Sequence, residues 1–129
     1  MKQLMPITTR IDDASGVDET YYSTPAHPNA GEWEAVTAVF TPYENVGLDA
    51  ANYRTLTLKN GATALDSWTS NSSGGTALAA GTPYVFDLSG NGINAEFTAN
   101  AAAMTVESVK NGTGAALKGD LTVVYQRVS

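Results

Sequence analysis

Polar and apolar residues alternate strictly from Tyr53 to Lys59, and the run ends on Asn60-Gly61. Successive side chains of an extended chain point to opposite faces, so Leu56 and Leu58 share one face while Thr55, Thr57 and Lys59 share the other. This predicts a half-buried strand. Asn-Gly tolerates the positive φ of a tight hairpin, so Ala62 to Trp68 is expected to return antiparallel. The same pattern recurs from Thr105 to Lys110, closed by Asn111-Gly112, and Leu121 to Val128 is expected to return on it through the Gly-rich stretch 112–120. Trp33 to Tyr43 is apolar on much of both faces and reads as a long central strand.

Between these segments the chain is punctuated by turn residues. Glu44 to Asn52 reads as a crossing loop with room for one helical turn, and Ser67 to Gly75 as a polar loop. Thr76 to Ala80 is a brief pairing segment. Tyr84, Phe86 and Leu88 share one face of a further strand, Ile93 to Thr98 forms a weaker one, and Ala99 to Ala103 is too short for an independent helix. About eight short strands with one long crossing predict an all-β protein, a single β-sandwich of jelly-roll-like or related topology. An immunoglobulin-like strand order is the alternative.

Residues 1–31 differ from the sandwich at 32–129. They carry Pro6, Pro25 and Pro28, the acidic residues Asp12, Asp13, Asp18 and Glu19, and little apolar periodicity. They read as an extended N-terminal arm, with Ile7 to Ile11 able to add a short strand, and the sandwich is expected to fold without it. Leu4, Met5, Ile7, Tyr21 and Tyr22 are the arm's candidate contacts with a partner.

Composition narrows the function. With 129 residues the chain forms one domain, long enough to bury roughly two thirds of its unfolded surface. There is no cysteine, which removes disulfides and thiolate metal sites. A net charge of −6 with seven scattered basic residues argues against a nucleic-acid partner. No stretch has signal-peptide or membrane-spanning character, so synthesis in the cytoplasm and no membrane contact are expected. Asn71-Ser72-Ser73 and Asn111-Gly112-Thr113 fit the glycosylation pattern but read as polar loops.

The candidate chemistry is thin. His27, the single histidine, lies between prolines without a Ser or Asp pattern to orient it, and one histidine does not make a zinc site. The acidic run from Asp12 to Glu19 has the wrong ligand offsets for an EF-hand. Gly90-Asn91-Gly92 and Gly112-Thr113-Gly114 open no helix and read as turns rather than phosphate loops. Glu32 and Glu34, two apart on a strand, form the best carboxylate pair for a glycosidase, on an expected exposed edge with no cleft. Trp68 is a candidate glycan-stacking residue, with a core-edge or subunit contact as the plainer reading. No catalytic, cofactor or metal site is assigned.

The segments Arg54 to Gly61, Leu78 to Tyr84, Met104 to Lys110 and Leu121 to Tyr125 together resemble small β-sandwich virion proteins of tailed bacteriophages, those that decorate the capsid. The similarity spans Trp33 to Val128 and leaves the arm outside. It implies a non-enzymatic cement protein at the virion's capsid surface, bound to the major capsid protein and assembled as a homotrimer. A phage spike, fibre or tail-associated module that binds a host glycan through Trp68 is the alternative.

Overall fold

The computed structural model describes residues 4–16, 19–23, 32–88, 96–98 and 104–127. They contain nine strands and no helix: β1 (Leu4–Asp13), β2 (Glu19–Ser23), β3 (Glu32–Pro42), β4 (Tyr53–Asn60), β5 (Thr63–Thr69), β6 (Tyr84–Phe86), β7 (Glu96–Thr98), β8 (Thr105–Asn111) and β9 (Leu117–Arg127). One sheet has the order β1-β9-β3-β6, with β7 also paired to β3; the other has the order β2-β8-β4-β5. All pairings between strands are antiparallel. The chain changes sheet at most of its connections, which gives an all-β sandwich of jelly-roll-like topology with its core between the sheets.

The alternation in β4 does what the pattern predicts. Arg54, Leu56 and Leu58 are buried, while Thr55, Thr57 and Lys59 stay partly exposed. Asn60 pairs with Thr63, leaving Gly61 and Ala62 as a two-residue loop in which Gly61 has a φ of 61°. In β3 the alternation slips once. Ala35 pairs with Tyr125 and Thr37 with Val124, so Val36 is an extra, exposed residue at a bulge, and Ala38 and Phe40 then resume the inward face.

The second expected hairpin does not form. β8 pairs with β2 and β4, whereas β9 pairs with β1 and β3 in the opposite sheet. Residues 112–116 are a crossover. The Asn111-Gly112 turn is drawn out of its sheet by the 49–52 loop: Asn111 Nδ2 donates to Ala51 O at 2.8 Å, and Asn52 Oδ1 accepts from Thr113 N at 3.0 Å. A side chain at Gly112 would collide with Ala51 O and Asn52 Oδ1.

The N-terminal segment also differs from the expected arm. β1 pairs along its whole length with β9, from Leu4↔Gln126 to Asp13↔Leu117, and β2 pairs with β8. These two strands form one edge of each sheet. Their signal was weak because the inward positions of β1 mix Met5, Ile7 and Ile11 with Thr9 and Asp13, and because Pro6 is tolerated on an edge strand. His27, the Gly90-Asn91-Gly92 turn and Ala99 to Ala103 lie outside the described residues.

The 44–52 loop has no helical turn. Val46 and Leu78 exchange backbone hydrogen bonds at 2.9 Å, so the brief pairing expected of Thr76 to Ala80 is made with this loop. Asp49 Oδ1 accepts from the backbone N–H groups of Asn52 and Ala51, which hold its carboxyl below the ordinary value.

Candidate functional site

The acidic segment read above as a poor calcium loop holds the most elaborate polar cluster among the described residues. Asp13 closes the inward face of β1 and is buried. Its Oδ1 accepts from Thr20 Oγ1 and from Tyr22 Oη, each at 2.7 Å, and its Oδ2 accepts from Ser108 Oγ at 2.6 Å. Arg54, fully buried on β4, brings Nη1 within 3.8 Å of Asp13 Oδ2.

The same guanidinium donates from Nε to Ala115 O at 2.7 Å, from Nη1 to Ser108 Oγ at 3.2 Å and from Nη2 to Ala14 O at 3.4 Å. One cluster thus ties β1, β2, β4, β8 and the 112–116 crossover together. Burial raises the Tyr22 phenol above its ordinary value, and the bond to Asp13 adds to the effect.

This arrangement clasps rather than reacts. Three hydroxyl donors and a cation already occupy the Asp13 carboxylate, leaving it no free face for a metal. Asp12 points to solvent with Arg10 and Lys118 beside it at 3.9 and 3.8 Å. Among the described residues, no group of three His, Cys, Asp or Glu side chains is placed to hold a metal ion.

The remaining candidates are dispersed. Trp68 is 2% exposed and donates from Nε1 to Thr76 O at 2.8 Å, so its ring belongs to the core and offers no face to a sugar. The strand bearing Glu32 and Glu34 is no edge: β9 and β7 flank it, with Glu34 opposite both Gln126 and Glu96. Of the five arm contacts, Met5 lies half-buried on the inward side of β1, and Ile7 and Tyr22 pack against the core. Leu4 (58% exposed) and Tyr21 (68%) are exposed, but they lie on the outer faces of opposite sheets.

Those two outer faces differ in chemistry. On the four-stranded sheet Thr55 bonds Thr69 at 3.0 Å, Lys59 pairs with Glu107 at 2.9 Å, and Tyr21 donates to Glu19 at 2.8 Å. On the five-stranded sheet the Thr8 and Thr122 hydroxyls bond at 2.9 Å in mid-sheet, Glu34 lies opposite Gln126 at one end, and a charged cluster occupies the other. There Tyr43 donates to Asp120 at 2.6 Å with Arg10 over its ring at 5.6 Å, and the bond to Asp120 raises the Tyr43 phenol.

No family model and no curated protein sequence matches the chain. Among solved structures, it is similar to a chain of the Bacillus endospore appendages, a family of disulfide-linked pili, at 15% identity and a TM-score of 0.43, covering 99% of this chain and 90% of that one. A tobacco necrosis virus chain is similar at 11% identity and a TM-score of 0.46, covering 100% and 96%. Latent PorU from Porphyromonas gingivalis is similar over 98% of this chain but 13% of its own length, at 15% identity and a TM-score of 0.47.

Proposed function

We propose that this chain is a non-enzymatic structural protein of a bacteriophage virion, a decoration or cement protein on the outside of the capsid that acts as a homotrimer. The carrying observation is where the decoration-protein resemblance falls. Its segments coincide with β4, β8 and β9 and with the stretch leading into β6, the strands that build both sheets. A resemblance concentrated there concerns the framework of the molecule rather than one loop. The buried clasp at Asp13 and Arg54 fits the same role, since it stiffens the sandwich and leaves no open chemistry. In this reading Tyr21, exposed on the four-stranded sheet, meets the major capsid protein.

Cryo-electron microscopy of virions from the phage that encodes the chain tests the proposal, together with co-sedimentation of the purified protein with capsids stripped of it. Density on the shell exterior and saturable rebinding are expected, with occupancy reduced by Tyr21→Ala. Absence from the virion overturns the proposal. Density confined to the tail tip also overturns it and favours a host-recognition module.

A further inference from the structure

We infer that the free edge of β1 is a latent pairing surface for β1 of a second copy of this chain, held shut by Pro6 and by the Tyr22 hydroxyl. An edge strand offers unpaired N–H and C=O groups to any extended chain, and its length and regularity decide how good a template it makes. Among the described edge strands β1 is the best template. It has ten residues in unbroken register with β9, whereas β2 has five, β6 and β7 have three each, and β5 is bulged opposite Leu58 and Lys59.

Two hydrogen bonds fix which groups of β1 face outward. Asp12 N–H donates to Tyr22 Oη at 3.1 Å, away from β9, and the carbonyl of its register partner Lys118 accepts from Tyr43 N at 2.8 Å on the β3 side of β9. The Asp12–Lys118 pair therefore exchanges no backbone bond. Such pairs alternate with bonded ones along an antiparallel ladder, so Pro6, Thr8 and Arg10 share the outward direction of Asp12. Pro6 has no N–H to offer, and that of Asp12 is taken. The outward N–H groups of Thr8 and Arg10 thus lie between two closed positions.

The spacing of the two closures identifies the occupant. Two copies of β1 that meet edge to edge, antiparallel about Thr9, set Thr8 opposite Arg10 of the second copy and Pro6 opposite its Asp12. In that register every outward group from Pro6 to Asp12 faces a complementary one. The two closures then fall on the same pair. Pro6 lacks the N–H that would donate to the Asp12 carbonyl of the second copy, and Tyr22 occupies the Asp12 N–H that would donate back to Pro6 O. Both bonds of the outer pair are lost, and the twofold symmetry of the contact removes them again at the other end. Only the Thr8–Arg10 pairs remain. A foreign strand requires no such coincidence, whereas a strand identical to β1 does.

The test is sedimentation velocity at tens of micromolar, with circular dichroism to verify folding, on the parent chain, Pro6→Val, Tyr22→Phe and both together. The double variant regains the backbone bonds of both outer pairs and is expected to associate more tightly than the parent by at least roughly tenfold, each single variant by less. Thr8→Pro added to the double variant takes away a central N–H and should return it to the behaviour of the parent. Tyr43→Phe removes a hydroxyl away from this edge and should change nothing. If Tyr22→Phe fails to fold, Pro6→Val, at an exposed position clear of the clasp, carries the test with Thr8→Pro as its reversal. Unchanged association in Pro6→Val and in the double variant overturns the inference, and so does new association that Thr8→Pro leaves in place. A parent whose own association falls on Thr8→Pro also overturns it, because the edge is then open. No capsid enters the measurement, so the outcome is separate from that of the decoration reading.

Discussion

Asp13 and Arg54 sit out of water, where each depends on the other. Removing one partner of such a pair strands the other charge, a cost of about 3–5 kcal/mol, whereas replacing both with apolar residues of similar volume removes the desolvation burden as well. Asp13→Ala should therefore lower the urea midpoint sharply, and Asp13→Leu with Arg54→Met should recover most of the loss. Tyr22 adds a pH dependence. Its phenol titrates above the ordinary 10.0 in the folded chain, so its stabilising contribution is complete below that value and lost as pH rises through the raised one. Tyr22→Phe should lose about 1 kcal/mol near neutrality and soften the alkaline fall in melting temperature. The softening will be partial, because Tyr84 is raised in the same direction by burial. Arg54 has the same strand parity as Leu56 and Leu58, so its inward direction was legible in the sequence. Its partner was not, because Asp13 lies on a distant strand and meets it only when the two sheets close.

At the scale of strands and turns, local signals read true where they concern one strand and its face. The β4–β5 hairpin and the inward set of Leu56, Leu58, Phe86 and Leu88 follow from alternation and an Asn-Gly turn. An identical turn after β8 leads elsewhere because the 49–52 loop captures it, a tertiary contact that no local pattern encodes. Leu56→Asp or Phe86→Asp should abolish the cooperative thermal transition, since each buries an unpaired charge at a cost of several kcal/mol. Two glycines separate backbone from packing. Gly61 has positive φ and open space around it, so Gly61→Ala should cost only the backbone term, about 1–2 kcal/mol. Gly119 is covered by Phe40, whose Cζ would lie 2.6 Å from an added Cβ, with Thr41 O closer still. Gly119→Ala should cost about 1–3 kcal/mol through overpacking, and denaturant titration of both variants compares the two.

For the whole molecule, the N-terminal strands are parts of the sandwich. Ile11 is fully buried, and β1 covers the flank of β9 along its length. Deleting residues 1–23 should therefore abolish the cooperative melt, where a detachable arm would leave it unchanged. The sequence concealed this because the buried positions of an edge strand need not all be apolar, and because the clasp supplies polar residues with partners. The pairing of Leu4 with Gln126 also sets a timetable. β1 precedes the other eight strands along the chain yet has no neighbour in its sheet until the strand ending at Arg127 has been synthesised. Pairings of such long sequence separation place folding toward the slow end of small domains, in milliseconds to seconds. During translation β1 must wait unpaired while the seven intervening strands are made, and Pro6 then guards a nascent chain against pairing with its neighbours on the same message.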